Sequence, residues 1–409
     1  MRICFEKSQV NKSSQLSVTG SKSETNRLLL LQALYRQISL ENTSESDDSE
    51  AMQMALSSQS DTIDIHHAGT AMRFLTAFFA IQDGKSITLT GSNRMQERPI
   101  KILVDALREL GADISYEKNE GFPPLKIVGK KLSKSKVTLD AGVSSQYISA
   151  LLLIAPSLEN GLELTLDGKI TSIPYIEMTL ALLAEIGVET SFVANVISVH
   201  PTKVETPKSI VVESDWSSAS YFYSIVALSD IGTKIELSSY KKNSLQGDSA
   251  LAEIYQSFGV ETVFSDNKIA IVKSTEIELP KLEFALNNTP DIAQTIAVSA
   301  FALGIPCDLT GLHTLKIKET DRLEALRIEL SKFGAKISVT DDSLHLDASD
   351  IVGSDVHVAT YNDHRMAMAF APLALKTEFA IDDAQVVSKS FPTFWEDLLS
   401  IGFEFRQEN

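Results

Sequence analysis

The sequence is poor in cysteine and tryptophan and has fewer basic than acidic residues. Two cysteines, Cys4 and Cys307, form no CxxC pair, which is typical of a protein from a reducing compartment. No apolar run is long enough to span a bilayer and the first residues show no secretory pattern, so we predict a cytoplasmic protein that binds no membrane. Because 37 Lys and Arg oppose 54 Asp and Glu, the net charge of −17 argues against nucleic acid as a partner.

Ligand-type residues cluster in two places, but neither has a metal-binding spacing. The stretch 41–50 (ENTSESDDSE) lacks the glycine and ligand spacing of a calcium loop, so we interpret it as a solvated acidic loop before a helix. His66 and His67 have no second set of ligands nearby in the sequence. We therefore predict no metal.

Capped helix starts followed by nearly apolar helices recur along the chain. In the first, Ser21 and Glu24 form a capping box ahead of the apolar run 28–31. The later starts contain Thr70, Ser144, Ser217, Thr289 and Asn362, at steps of 74, 73, 72 and 73 residues. Since Ser21 and Thr70 are only 49 residues apart, the pattern predicts six repeats of which the first is shortened.

Helices that end on a glycine and lead into a strand give the same period. A glycine just past a helix end adopts the left-handed conformation at little cost. These glycines are Gly111, Gly187, Gly259, Gly334 and Gly402. The glycine expected near residues 55–60 is missing, which again places the shortening in the first repeat. Six βα repeats divide naturally into two domains of three, with a break near 207–215.

Basic side chains gather at these helix starts, although the protein as a whole is acidic. A helix N-terminus carries unpaired N–H groups and partial positive charge, so added cations favour phosphate and carboxylate ligands. The cations in or beside these turns are Lys22, Arg27, Arg73, Arg98, Lys318, Arg322, Arg365 and Lys389. The pattern indicates sites for small anions.

Eight motifs follow one another along nearly the whole chain: GSKSETNR (20–27), AGTAMR (68–73), RMQERPI (94–100), SSQ (144–146), SIPY (172–175), KETDR (318–322), YNDHRMAMAF (361–370) and SKSFPTFW (388–395). In this order they resemble the motifs of the 5-enolpyruvylshikimate-3-phosphate synthase family. The resemblance implies an α/β fold, a two-domain inside-out α/β barrel in which each domain has three βαβαββ units with buried parallel helices. It further implies one domain over 20–213, a second over 1–19 plus 214–409, and a substrate cleft between them.

The resemblance implies transfer of the enolpyruvyl group of phosphoenolpyruvate to the 5-hydroxyl of shikimate 3-phosphate, with release of phosphate, in aromatic amino-acid and chorismate biosynthesis. We expect addition to a tetrahedral intermediate followed by elimination. The expected partners are these two small molecules, with no nucleic acid and no membrane. We expect no metal or organic cofactor, a monomer, and a target of glyphosate.

The resemblance also assigns roles residue by residue. The expected catalytic residues are Asp291 as base for the hydroxyl, Glu319 as proton shuttle at C3, and Lys22 and His364 as helpers. Expected to bind shikimate 3-phosphate are Lys22, Ser23, Arg27, Ser144, Ser145, Gln146, Ser172, Tyr175, Asp291 and Lys318. Expected to bind phosphoenolpyruvate are Lys22, Gly69, Arg98, Gln146, Arg322, Arg365 and Lys389.

The sequence departs from the family pattern at three positions. His67 replaces the usual Asn before Ala-Gly-Thr, and Phe74 replaces the usual Pro or Leu after AGTAMR. Because both flank Gly69, we expect weaker inhibition by glyphosate than in members with Asn and Pro there. Thr314 stands where many members have an Asn that touches the shikimate phosphate, so that contact is not assigned.

Two other functions remain open from the sequence. The related enolpyruvyl transferase that acts on UDP-N-acetylglucosamine usually has a general-acid Cys in a mobile loop, and neither cysteine here lies in a predicted active-site turn. A non-catalytic relative could keep the anion sites without turnover. The presence of Lys22, Asp291, Glu319 and Lys389 favours an enzyme.

Overall fold

The computed structural model describes residues 1–140, 142, 144–168, 170, 173–277, 280–352 and 355–408. The chain divides into two compact units. We call residues 20–212 the N-terminal unit, and residues 1–19 together with 213–409 the C-terminal unit. The division falls after Val212, one residue before the position expected from the sequence.

The described residues form twelve α-helices and twenty-two strands, numbered in chain order. The helices are α1 (Lys22–Leu34), α2 (Asp47–Ser57), α3 (Gly69–Ala80), α4 (Lys101–Leu110), α5 (Ser145–Ile154), α6 (Ile173–Glu185), α7 (Trp216–Ala227), α8 (Leu251–Ile254), α9 (Ala293–Ala302), α10 (Arg322–Lys332), α11 (His364–Phe370) and α12 (Phe394–Ser400). The strands up to the unit boundary are β1 (Arg2–Phe5), β2 (Ser13–Leu16), β3 (Ile38–Glu41), β4 (Thr62–Asp64), β5 (Ser86–Thr90), β6 (Asp113–Tyr116), β7 (Leu125–Val128), β8 (Lys136–Asp140), β9 (Leu162–Asp167), β10 (Thr190–Val193), β11 (Val196–Val199) and β12 (Lys208–Val211). The later strands are β13 (Lys234–Ser238), β14 (Val260–Ser265), β15 (Lys268–Lys273), β16 (Leu282–Ala285), β17 (Cys307–Thr310), β18 (Ile337–Val339), β19 (Leu344–Leu346), β20 (His357–Val358), β21 (Phe379–Ile381) and β22 (Phe405–Glu408).

Each complete repeat builds one four-stranded sheet of a fixed pattern. In the order β4-β5-β7-β6, the first pair is parallel and the other two pairs are antiparallel. The same pattern holds for β8-β9-β11-β10, β2-β13-β15-β14, β16-β17-β19-β18 and β20-β21-β1-β22. A parallel pair needs a crossover connection. In the three sheets whose strands are consecutive in the chain, β4 to β7, β8 to β11 and β16 to β19, an apolar helix supplies it, and these repeats read βαβαββ as predicted. The other two sheets are completed by β2 and by β1, from the start of the chain.

Strands that lie next to the unit boundaries pair with distant partners. Strand β2 precedes α1 in the chain but pairs in parallel with β13, in the C-terminal unit. Strand β12 precedes α7 but pairs in parallel with β3, in the N-terminal unit. The sheet β12-β3 has two strands among the described residues, because the chain passes from α2 directly to β4 without an antiparallel hairpin. The predicted shortening of the first repeat is confirmed.

The apolar helices are buried and the glycine-terminated ones are amphipathic, as predicted. Every residue of α9 is buried, and in α3 all but Thr70 are buried. Helices α1, α3 and α5 contact one another, and α9 contacts both α7 and α11. The five glycines predicted past helix ends all have positive φ, for example 110° at Gly111 and 72° at Gly259.

Candidate active site

The first helix start of the N-terminal unit holds a buried arginine among neutral groups. Ser21 caps α1 by accepting a hydrogen bond from the N–H of Glu24, which confirms the predicted cap. One turn further, the Arg27 guanidinium donates to Thr179 Oγ1 (2.8 Å), Ser149 Oγ (3.0 Å) and the carbonyl oxygens of residues 23 and 175. Burial lowers the pKa of Arg27 to about 10, and Tyr175 and Glu24 counteract this shift only in part.

Two aromatic rings complete the surroundings of this arginine. The Cζ atom of Arg27 lies 5.4 Å from the ring centroid of Phe74 and 5.9 Å from that of Tyr175. Both distances fall within the range of a cation–π interaction. Phe74, one of the departures from the family pattern, therefore contacts a residue expected to bind shikimate 3-phosphate.

Lys22, in the first turn of α1, faces an acidic residue of the neighbouring helix. Its Nζ lies 3.8 Å from Oδ2 of Asp48, which is buried in the first turn of α2. His67 Nε2 lies 3.6 Å from Oδ2 of Asp47. The interpretation of stretch 41–50 as a solvated loop is therefore wrong in part, because its aspartates begin a helix packed against α1 and α3.

The start of α3 brings two guanidinium groups to one glycine. A Cβ atom added at Gly69 would lie 2.6 Å from Nη1 of Arg98 and 3.1 Å from Nη1 of Arg73, so a side chain there would intrude on both. Arg73 also donates to the Gly69 carbonyl oxygen at 2.8 Å. Burial, and then the charge of Arg98, lower the pKa of Arg73 to about 10. Two neighbouring guanidinium groups beside one glycine suit an anionic ligand.

The start of α5 joins this region through a polar contact. Ser144 caps the helix by accepting from the N–H of Gln146, and Gln146 Nε2 donates to Thr70 Oγ1 at 3.3 Å. Ser145 is buried, whereas Ser23 and Tyr175 are half-buried. The structure thus brings together most of the residues predicted in this unit. Ser172 lies outside the described residues.

In the C-terminal unit, one buried arginine binds three carboxylates. Arg322 begins α10 with 2% of its side chain exposed. It donates through Nε to Asp363 Oδ2 (2.6 Å), through Nη1 to Asp291 Oδ1 (2.8 Å) and through Nη2 to Glu319 Oε2 (2.8 Å). Burial works to lower the pKa of Arg322, but the three carboxylates raise it above its usual value. The charge is therefore fixed at any pH at which the protein folds.

Asp291 is in turn surrounded by cations. Its carboxylate lies 2.8 Å from Arg322, 3.4 Å from Lys318 Nζ and 3.4 Å from Arg365 Nη2. It sits in a 3₁₀ turn (Pro290–Ile292) whose capping position, Thr289, makes no side-chain cap to the backbone. The starts of α9, α10 and α11 are thereby joined through one carboxylate. The pair of Glu319 and Arg322 is not a surface pair, since the arginine is buried.

The remaining predicted residues lie at the start of α11. His364 is buried, with Nδ1 3.9 Å from Oδ1 of Asp363, and Asp363 caps the helix by accepting from the N–H of Arg365 at 2.9 Å. Lys389 Nζ donates to the carbonyl oxygen of Asn362 at 2.6 Å. All predicted residues of this unit therefore fall on neighbouring turns.

Two carboxylates that the structure places here had no predicted role. Asp363 is paired with Arg322, which was predicted to bind phosphoenolpyruvate, and Asp48 is paired with Lys22. Their signal was present, since each lies beside a helix start, but nothing local shows which cation a carboxylate will meet. Arg73 was predicted among the clustered cations without a role in binding.

Asp248 is a further buried carboxylate near this cluster. Burial, followed by the charge of Asp291, raises the pKa of Asp248 to about 7. Among the described residues, no group of three or more His, Cys, Asp and Glu could hold a metal ion. The same residues include no helix long and apolar enough for a bilayer.

We expect Asp248 to make stability fall as pH rises from about 4 to about 7. The folded protein keeps this proton up to about pH 7, whereas an unfolded aspartate loses it near pH 4, so the folded state binds more protons in this window. As pH rises through this window, the free energy of unfolding of Asp248→Asn should therefore increase relative to that of the wild type, by at most about 1.4 kcal/mol per pH unit. Urea unfolding between pH 5 and 8 measures the difference.

A matched control is Asp341→Asn. Lys316 lowers the pKa of Asp341, so this residue is ionised throughout the same window and its variant should differ from the wild type by a constant amount. A pH-independent difference for Asp248→Asn as well would show that Asp248 is ionised in the folded protein and would contradict the prediction.

The fold and the two sites define a class of protein. It is an α/β protein in which the starts of buried helices carry arginine and lysine side chains suited to small anions, beside carboxylates paired with some of these cations. The sequence matches the family model described as EPSP synthase (3-phosphoshikimate 1-carboxyvinyltransferase) over residues 53–398. The chain belongs to the EPSP synthase family, and the resemblance seen in its motifs is confirmed.

Similar curated proteins carry the name 3-phosphoshikimate 1-carboxyvinyltransferase. One from Bacteroides fragilis is 47% identical, covering 97% of this chain and 96% of that protein. One from Haemophilus influenzae is 36% identical, covering 94% and 96%. A solved EPSP synthase from Acinetobacter baumannii has a TM-score of 0.82 at 21% identity, covering 99% of this chain and all (100%) of that one. The last likeness concerns the fold alone and confirms the predicted two-domain α/β class.

Proposed function

We propose that this chain is a 3-phosphoshikimate 1-carboxyvinyltransferase, which transfers the enolpyruvyl group of phosphoenolpyruvate to the 5-hydroxyl of shikimate 3-phosphate. Membership of the EPSP synthase family and the names of its close relatives support this activity. The observation that carries it is the carboxylate of Asp291, held by Arg322, Lys318 and Arg365. Such a group can accept a proton beside positive charges that attract anionic substrates.

The reaction proceeds in two steps, an addition followed by an elimination. The 5-hydroxyl oxygen bonds to C2 of phosphoenolpyruvate, losing its proton to Asp291, while C3 gains a proton through Glu319. The C2–O bond to phosphate then breaks and C3 loses a proton, giving the enol ether. General acid–base catalysis of this kind needs two groups near two different atoms. Lys22 and His364 assist proton movement and stabilise the departing phosphate.

Binding of the substrates draws on the cation clusters of both units. The Arg73–Arg98 pair around Gly69 supports a phosphoenolpyruvate site. The partly compensated Arg27, beside Ser23 and Tyr175, supports a shikimate 3-phosphate site. The other ligands proposed for phosphoenolpyruvate are Lys22, Gln146, Arg322, Arg365 and Lys389. The other ligands proposed for shikimate 3-phosphate are Lys22, Ser144, Ser145, Gln146, Ser172, Asp291 and Lys318. The absence of a cofactor, the cytoplasmic location and the monomeric state stay predictions.

Phosphate release from phosphoenolpyruvate tests the function directly. The purified protein is assayed with shikimate 3-phosphate and, separately, with UDP-N-acetylglucosamine. Release with shikimate 3-phosphate alone is expected. Release with the nucleotide sugar would instead assign the related transferase activity. Binding of both shikimate-pathway substrates without release would indicate a non-catalytic relative.

Phe74→Leu is expected to raise KM for shikimate 3-phosphate about two- to thirtyfold, because the ring contributes about 0.5–2 kcal/mol to holding the buried Arg27 guanidinium. KM for phosphoenolpyruvate should stay close to the wild-type value. Initial rates with each substrate varied in turn provide both constants.

The control is Phe78→Leu, on the same helix. Phe78 is buried against Phe79, and no arginine contact is recorded for it among the described residues. Equal shifts of KM for shikimate 3-phosphate in both variants would show that packing of α3, and not the contact with Arg27, is responsible.

A further inference from the structure

Glu329 is a fully buried carboxylate that the proposed mechanism does not use. It lies on α10 seven residues after Arg322, and therefore on the same face of the helix. Its Oε1 accepts from the Tyr361 hydroxyl (2.7 Å), and its Oε2 accepts from the N–H of Ala359 (3.1 Å) and from Lys332 Nζ (2.6 Å). A buried carboxylate is costly unless it is paired and hydrogen-bonded, and here all its recorded partners except Lys332 belong to one turn.

That turn has an unusual backbone. Tyr361 and Asn362 both have positive φ, 53° and 56°, although neither is a glycine. Such conformations persist where the surrounding contacts determine them. Glu329 holds the chain at Ala359, two residues before the strained pair, and at the side chain of Tyr361, within that pair. It is thus placed to determine the course of the turn.

The turn contacts or directly precedes three residues proposed to bind phosphoenolpyruvate. Asn362 accepts from Lys389 through its carbonyl oxygen. Asp363, the next residue, caps α11 and binds Arg322. Arg365 reaches Asp291 from the first turn of α11. A change in the course of residues 359–363 would therefore displace three cations at once.

We propose that Glu329 is a positioning residue for the phosphoenolpyruvate site. It holds the turn 359–363 in its strained conformation, and thereby sets the places of Arg365, Lys389 and the Asp363–Arg322 pair. Glu329 itself touches no substrate. This inference rests on the proposed function, since it assigns those cations to phosphoenolpyruvate.

The test uses Glu329→Gln and Tyr361→Phe in the full-length protein. Glutamine keeps the size of the side chain but carries no charge and offers one acceptor oxygen in place of two, so its hold on the turn is weaker. We expect KM for phosphoenolpyruvate to rise about tenfold in Glu329→Gln and less in Tyr361→Phe, with KM for shikimate 3-phosphate within about threefold of the wild type. The double variant should resemble Glu329→Gln alone, because both changes break the same contact.

The matched control is Glu324→Gln on the same helix. Glu324 also pairs with a cation three residues on, Arg327. Among the described residues its side chain makes no hydrogen bond or ion pair with the turn, and only its charge acts on Tyr361, at longer range. The control variant should leave both KM values unchanged. Thermal unfolding of every variant shows whether the protein is folded at the assay temperature.

Several outcomes would overturn the inference. Unchanged KM for phosphoenolpyruvate in a folded Glu329→Gln variant, or an equal rise of both KM values, would leave Glu329 as a residue of general stability. If the wild type turns over neither acceptor, the proposed function fails, and calorimetric binding of phosphoenolpyruvate becomes the readout. A wild-type Kd in Glu329→Gln, or no binding by the wild type, would then overturn the positioning role as well.

Discussion

Asp291→Asn is expected to lower kcat by about 10³-fold, because general base catalysis contributes about 10²–10⁴-fold. Asparagine has nearly the shape of aspartate and can still accept hydrogen bonds, but it cannot take the proton of the attacking hydroxyl. The three cations around this carboxylate make the expected pattern specific. Removing a negative charge from among them leaves more positive charge for anionic substrates, so KM for phosphoenolpyruvate should not rise. KM for shikimate 3-phosphate, which Asp291 is also proposed to bind, should change far less than kcat.

Steady-state rates with each substrate varied in turn measure this separation of kcat from KM. The control is Asp308→Asn. Asp308 lies on β17 of the same unit, and its carboxylate is paired with Lys281 and His345. The control variant should retain wild-type kcat. A kcat for Asp291→Asn within tenfold of the wild type would show that another group takes the proton, and a rise of KM alone would assign Asp291 to binding.

Much of this fold follows from chemistry that is local in the sequence. Ser21 with Glu24 predicted the start of α1, and Gly259 predicted a helix end that the structure shows at φ 72°. A cap or a left-handed glycine acts within one helical turn, so a few residues suffice to predict it. The repeat period of these signals then gives the number of units.

Pairing over long sequence distances could not be predicted in the same way. Strands β2 and β12 each precede an apolar helix, yet β2 pairs with β13 and β12 with β3. A short strand carries no local mark of its partner. The family resemblance, not the periodicity, was needed to expect that residues 1–19 join the later part of the chain.

The candidate site shows the same division. The cations were predicted because they stand at helix starts, but their carboxylate partners were not. Asp48 belongs to a stretch that looked solvated, and Glu329 looks like any acidic residue of an amphipathic helix. Their importance depends on burial, which is a property of the packed fold. Phe74 was noticed only as a departure from the family pattern, and its contact with Arg27 gives that departure a physical meaning.

Arg322→Met is expected to destabilise the C-terminal unit by about 3–5 kcal/mol, the usual cost of leaving a buried ion pair without one partner. Three carboxylates, those of Asp291, Glu319 and Asp363, would lose the cation that they share. Both tryptophans, Trp216 and Trp395, belong to this unit, so urea unfolding followed by their fluorescence reports on it selectively.

The control Arg327→Met removes an exposed pair with Glu324 on the same helix, and its unfolding should not differ measurably from that of the wild type.

A second variant, Arg322→Met with Asp363→Asn, separates stability from function. Asparagine still caps α11 but leaves no charge at that position, so part of the lost stability should return, because removing both partners costs less than removing one. Activity should stay absent, since phosphoenolpyruvate would still lack Arg322. Recovery of both stability and turnover in the double variant would contradict the binding role of this arginine and leave it a purely structural one.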